Sequence, residues 1–402
     1  MIRMALTLSD RCLNISPSVT LAIDSQAKEM RARGEDVIGF GAGEPDFGTP
    51  EYIVNAAKEA LDAGMTRYTP VAGTLKLREE IVKKLKRDNQ LSYTVNQIIV
   101  TNGAKQALFN AFSAILNPGD EVLIPSPCWV SYPEIVKMTG GTPVLVPGRE
   151  DDGFLVSAQQ LAPFVNERTK ALILCSPCNP NGCVWTRDLL EGIADLAVEK
   201  GFFVVSDEIY EKLIYDGLKH VSIASLNERI KEQTIVVNGH SKSFAMTGWR
   251  IGYAAGPQNV IKVMTSFQSH ATSNANSIAQ YAAAVALTNG EEWMENMVAE
   301  FDKRRRMMHS LIMDIPGLSA HLPEGAFYMM LNISGVIGKK HNGEPIENSM
   351  DFARLLLTAQ KVAVVPGRPF GDDRHVRLSY ATSQDNILRG IARIREFVDG
   401  LE

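Results

Sequence analysis

The residues best suited to chemistry lie in the stretch 238–250, NGHSKSFAMTGWR, which carries Lys242 between two serines and Arg250 eight residues later. Two apolar runs, 234–238 and 251–255, flank it and read as short buried strands. An ammonium is costly to take out of water. One reading is therefore a solvated loop lysine. The other is a lysine kept partly neutral by burial, its pKa drawn below the usual value of about 10.4, and so able to form a Schiff base. The remaining polar groups decide between the two.

In open α/β sheets functional groups gather at the carboxyl ends of strands, and those ends form a consistent set here. The apolar run 97–101 leads into Gly103, Ala104 and Lys105 at a helix start. Free N–H groups and the helix dipole suit an anion such as phosphate there. Further ends lead to Trp129, then Asn179, then Asp207 and Tyr210, and finally Lys242 and Arg250. Each has a plain alternative: Trp129 in the core, Asp207 capping a helix, Arg250 in a structural ion pair. Together they are the parts of a pyridoxal phosphate site. A lysine forms the imine, a carboxylate keeps the pyridine nitrogen protonated, and an asparagine and a tyrosine hold the phenolate oxygen. An arginine and a helix N-terminus hold the phosphate, and the released lysine moves the substrate proton.

The elements that must position these groups alternate between strand and helix from about residue 97 to 255, which predicts an α/β fold with a mostly parallel sheet. After about residue 258 a helical pattern dominates, then short strands and helices follow, reading as a smaller α+β domain. The expected division is a large cofactor-binding domain over 46–295 and a small domain from 1–45 and 296–402. Ser16 and Pro17 are expected to cap and open a helix running to Arg33. The charge run 300–306, EFDKRRR, reads as a solvated helix face.

The 402 residues carry a net charge of −5, so nothing draws the chain to nucleic acid, and no apolar tract is long enough to span a membrane. With no convincing signal peptide, a cytoplasmic protein is expected. Five cysteines argue against a disulfide framework. Cys175, Cys178 and Cys183 in CSPCNPNGC could ligate a metal or form a redox pair. A structural zinc site needs four ligands, so small core or loop residues are the expectation and no metal is assigned. Gly39, Gly41 and Gly43 do not form the spacing of a dinucleotide-binding turn.

The motifs SKSFAMTGWRIGYAAGP, SPCNPNG, VVSDEIY, GAGEPDF and PGDEV together resemble the class I/II aminotransferases of the fold-type I pyridoxal-phosphate enzymes, closest to the bacterial subgroup Iβ aspartate aminotransferases. The resemblance runs from about residue 16 to the last helix. It implies a mostly parallel sheet sandwiched by helices and pyridoxal 5′-phosphate as cofactor. Lys242 would carry the cofactor, Asp207 would pair with its ring nitrogen, and Asn179 and Tyr210 with its phenolate oxygen. Trp129 would stack on the ring. Gly103, Ala104 and Arg250 would bind its phosphate, with Lys105 beside them. Tyr68 would reach the phosphate of the other subunit, making a homodimer with shared sites. Arg377 would clamp the substrate carboxylate, with Gly43, Trp129 and Asn179 lining that site. Lys105 would meet the distal carboxylate of a dicarboxylate substrate.

The expected reaction is aspartate plus 2-oxoglutarate giving oxaloacetate plus glutamate. Prephenate, aromatic or alanine transamination are the alternatives. A pyridoxal-phosphate regulator, which would need a DNA-binding module, is the disfavoured alternative of a different class. Relatives often place a serine three residues before the lysine, touching the phosphate. Gly239 stands there, so that contact is expected to be missing or replaced.

Overall fold

Alternate residues of the central strands enter different apolar clusters, and that alternation makes one sheet with both faces covered. The computed structural model describes residues 7–402. Among these, β1 (Ile98–Thr101), β2 (Glu121–Ser126), β3 (Thr142–Pro147), β4 (Thr169–Cys175), β5 (Phe203–Asp207), β6 (Thr234–Gly239) and β7 (Gly252–Ala255) form a sheet in the order β1-β7-β6-β5-β4-β2-β3. The pairings are parallel except those of β7, which runs antiparallel to β1 and β6. In β4, Ala171, Ile173 and Cys175 pack into one cluster, while Leu172 and Leu174 pack into another. Each fully buried aliphatic side chain of this kind contributes about 1.5–3 kcal/mol.

A second, antiparallel sheet holds β8 (Ser319–Ala320), β9 (Tyr328–Asn332), β10 (Val365–Pro366) and β11 (His375–Ser379) in the order β10-β11-β9-β8. The N-terminal segment joins this part of the molecule. Ile38–Gly39 pairs in parallel with Val362–Ala363, and Ser379 N donates to Phe40 O at 2.8 Å. That ladder lays the Gly-rich turn after Phe40 beside β11.

Two sequence expectations are corrected. The first long helix is Val19–Ala32, with Ser18 rather than Ser16 at its N-cap and Pro17 outside it. The Ser18 hydroxyl contacts Thr20 Oγ1 at 3.0 Å instead of capping a backbone N–H. The charge run on helix Glu291–Met313 is not a solvated face. Arg305 is fully buried: its Nε contacts Asp302 at 2.6 Å, its Nη2 contacts Asp216 at 2.7 Å, its Nη1 donates to Pro323 O, and it stacks on Tyr215. Arg304 is buried between Glu300 and Asp46. Glu300 and Asp302 belong to the run itself, but Asp46 and Asp216, which complete the pairing, come from distant parts of the chain that the run alone could not reveal.

Close backbone approach sets the sheet edge that faces the site. Gly252 opens β7 in register with both Thr101 and Gly239. A Cβ on Gly252 would lie 2.3 Å from Ala104 N, at the start of helix Ala104–Ile115. Gly252→Ala should therefore push that helix start outward, lowering stability by about 1–3 kcal/mol. Gly48→Ala, whose added methyl meets nothing within 4 Å, should stay within about 0.5 kcal/mol of the parent. Thermal unfolding of the two variants checks both expectations.

Candidate active site

The carboxyl ends of β1, β2, β4, β5 and β6 open onto a cavity of about 650 Å³. Because β7 is antiparallel, its entry lies at this same edge, which brings in Arg250. The cavity is lined by Gly43, Ala104, Lys105, Trp129, Asn179, Asp207, Tyr210, Lys242, Arg250 and Arg377. Gly103 lies just behind, against Arg250: a Cβ there would sit 2.5 Å from Arg250 Nη2, and its φ of 82° favours glycine. Tyr68 is 92% exposed and is not part of the lining.

Lys242 faces the cavity and is half-buried by surface area, yet it sits well below the protein surface. Burial lowers its pKa from 10.5 to about 8, with Arg377 and Arg250 adding to the fall and Glu44 and Asp207 opposing it. Its Nζ donates to Gly43 O. Asp207 is 3% exposed, and burial raises its carboxyl to about 6 despite the hydroxyl of Tyr132 donating to Oδ2 at 2.7 Å and Ile209 N to Oδ1 at 3.3 Å. Trp129 stands edge-on to Tyr132, with Lys105 Nζ 4.7 Å from its ring centre. Burial and the Arg250 charge lower the Lys105 pKa.

Arg377 is 2% exposed and has no carboxylate partner among the described residues. Its Nη1 donates to Asn179 Oδ1 at 2.9 Å and its Nη2 to Gly41 O at 3.0 Å, while Nε is buried without a partner. The guanidinium lies 4.4 Å from the ring centre of Tyr328 and 5.1 Å from that of Phe370. Such a cation could bind an anion that enters the cavity.

Helix Ala104–Ile115 begins at Gly103 with no side-chain cap. Arg250 Nη1 donates to Thr247 O at 2.9 Å, from a backbone φ of 57° that non-glycine residues rarely adopt. Free N–H groups and a guanidinium thus meet at one end of the cavity, where they could hold a phosphate. Gly239 does not line it: a Cβ there would meet Ile251 O at 2.9 Å, so a serine at 239 would clash with β7 rather than reach the cavity. Ser241 is buried and lines the cavity, so the replacement hydroxyl is at hand two residues later.

Sequence reasoning missed Tyr132, Ser241 and Tyr328, and also Ser18, Thr20, Lys28 and Arg31 of the N-terminal segment, which line the mouth. Tyr132 carried one signal, its place three residues after Trp129. The others carried none. Cys128, Cys175 and Cys183 are buried, with thiols pushed above their usual range, Cys128 and Cys183 chiefly by burial and Cys175 by Cys178 first and burial second. Among the described residues the group with metal-like ligand spacing is Glu208, Glu211 and His220, which holds no cysteine. Lys84 ion-pairs with Glu211 there, and Ser206 and Ser222 donate to Glu208.

Comparison with known proteins gives the family and the fold. The family profile of aminotransferase class I and II matches residues 35–394. An aspartate aminotransferase of Bacillus subtilis (strain 168) is 48% identical over 392 residues, covering 98% of this chain and 99% of that protein. A probable aspartate/prephenate aminotransferase of Aquifex aeolicus (strain VF5) is 44% identical over 394 residues, covering 98% of each. The crystal structure of the aspartate aminotransferase from Rhizobium meliloti superposes with a TM-score of 0.96 at 40% identity, covering 99% of this chain and 100% of that one. Fold and site define a transaminase that works with pyridoxal 5′-phosphate. The chain belongs to the aminotransferase class I and II family.

The residues present fit that cofactor. The helix start with Arg250 suits its phosphate, the buried Asp207 suits a cationic ring nitrogen, and the low pKa of Lys242 suits an amine that must attack a carbonyl. The pH dependence can be signed. Asp207 binds its proton more tightly folded, near 6, than unfolded, near 3.8. The penalty for its charge is therefore absent below pH 3.8, grows between 3.8 and 6, and is complete above 6. Asp207→Asn should stabilise the cofactor-free protein by about 1–3 kcal/mol at pH 8 and by little at pH 4, while weakening cofactor binding. Unfolding curves at the two pH values, and a cofactor titration, check the sign.

Proposed function

We propose that the chain transfers the amino group of aspartate to 2-oxoglutarate in a ping-pong cycle, as a cytoplasmic homodimer. The observation that carries the reading is the buried Arg377 guanidinium without a carboxylate partner, in the same cavity as a lysine of lowered pKa. When bound, pyridoxal phosphate supplies a carbonyl for the amine and a ring that accepts electrons.

The chain's own residues do the rest. Arg377 binds the α-carboxylate bidentately and so fixes the Cα–H relative to Lys242. Lys242, neutral in a useful fraction near pH 8, takes the proton from Cα and returns it on the other side of the transfer. Asp207 keeps the ring nitrogen positive. Asn179 and Tyr210 hold the phenolate oxygen, Trp129 covers the ring, and Gly103, Ala104, Ser241 and Arg250 hold the phosphate. Gly43 borders the substrate.

Lys105 selects the distal carboxylate, which favours a dicarboxylate donor. Its place over Trp129, at the cavity wall, supports that role. Prephenate is a second reading for the oxo-acid partner, favoured by the name of the Aquifex aeolicus relative. The exposed Tyr68 supports a second copy whose cofactor phosphate it would reach. We place the large domain at 46–295 and the small one at 1–45 with 296–402. The pairing of Ile38–Gly39 with Val362–Ala363 supports joining the two ends of the chain.

Protein supplied with the cofactor should show a pH-dependent visible band, and borohydride should fix the cofactor mass on Lys242. No band, or mass elsewhere, overturns the assignment. Lys105→Ala should lower aspartate kcat/KM by about 10- to 100-fold and leave alanine or phenylalanine as donors nearly unchanged. A uniform change across donors would remove Lys105 as the selector. Sedimentation of the purified protein tests the dimer.

A further inference from the structure

Tyr328 has none of the roles above, yet it touches both sides of the site. It lies on β9 two residues before Met330, which faces Arg377 across the ladder. That diagonal offset brings its ring under the guanidinium, 4.4 Å from Arg377 Cζ. Its hydroxyl lies 2.9 Å from that of Tyr210, and the two rings meet edge-on at 5.8 Å. Tyr328 is 1% exposed by area and its hydroxyl end borders the cavity beside Gly43.

Two phenol hydroxyls at this distance share one hydrogen along the bond, and the more acidic one donates it better. Burial raises both pKa values and the Arg377 charge opposes both shifts, but the guanidinium lies over the Tyr328 ring, 4.4 Å from its centre. A cation over its ring makes that phenol the better donor, so in this reading Tyr328 donates and Tyr210 accepts. The hydrogen of Tyr210 is then free for a third group in the cavity.

We propose that Tyr328 is a positioning residue with two separable actions: its ring seats the Arg377 guanidinium, and its hydroxyl turns the Tyr210 hydrogen toward the phenolate oxygen of the bound cofactor. This rests on the roles of Tyr210 and Arg377 proposed above. Through it, one residue of the second sheet serves both the carboxylate clamp and the ring.

The test uses the cofactor-loaded protein and two readouts besides turnover. One is the pH midpoint of the visible band; the other is the equilibrium Kd of maleate, an unreactive dicarboxylate. Tyr328→Phe keeps the ring and loses the hydroxyl. Tyr210 becomes a weaker donor, the phenolate oxygen is less stabilised, and the proton beside it is held more tightly. The midpoint should rise by about 0.5 pH unit, while maleate Kd stays within about twofold. Tyr328→Leu should show the same rise and weaken maleate by about fivefold or more.

Tyr210→Phe alone should raise the midpoint at least as far, and adding Tyr328→Phe to it should add nothing. A midpoint that moves in Tyr210→Phe but not in Tyr328→Phe overturns the hydroxyl action. Wild-type maleate affinity in Tyr328→Leu overturns the ring action. An unmoved midpoint in Tyr210→Phe instead overturns the role of Tyr210, and this inference with it. If the leucine variant fails to fold, the phenylalanine variants still decide the hydroxyl action.

Discussion

The Arg377 guanidinium is buried to 2% exposure with no carboxylate beside it among the described residues, and four separate segments of the chain hold it. Desolvating such an ion costs several kcal/mol unless hydrogen bonds and nearby electron-rich groups offset it. Arg377 has two hydrogen bonds, to Asn179 Oδ1 and Gly41 O, and two aromatic faces, Tyr328 and Phe370. These come from four segments far apart in sequence. The N-terminal turn is held there by the ladder of Phe40 with Ser379 and Ala363. An unpaired cation held in this way suits an anion, which is the role proposed for it.

The same burial acts in opposite senses on the two groups that handle protons. It raises the carboxyl of Asp207 and lowers the amine of Lys242. Both shifts favour neutral forms. A neutral lysine is the nucleophile the chemistry needs. A reluctant carboxylate gains a great deal from a positive ring nitrogen placed beside it. Neither effect requires a special residue; it requires that the strand ends carrying them lie under helices and under the second sheet.

A second buried arginine, Arg305, is fully paired. Arg305 is enclosed by Asp302, Asp216, Pro323 O and the Tyr215 ring, tying helix Glu291–Met313 to the segment that follows Tyr210. The contrast with Arg377 is informative. Both are buried arginines, and only the one that faces the cavity lacks a counter-ion.

The sequence by itself determined the α/β class and the strand ends that gather the candidate groups: Lys242, Asp207, Asn179, Tyr210, Trp129, Lys105, Ala104, Gly43 and Arg250 line one cavity, together with Arg377, which only the family resemblance singled out. It could do so because apolar strands are short and periodic, and because chemistry at strand ends needs particular residue types. The antiparallel course of β7, the close approach of Gly252 to Ala104, the burial of Arg304 and Arg305, and the contacts of Tyr132 and Tyr328 were decided only by tertiary structure. Each depends on a partner more than 70 residues away or on a strand register, and local pattern carries no record of either. A tyrosine in a strand looks the same whether it packs in the core or touches an active-site arginine.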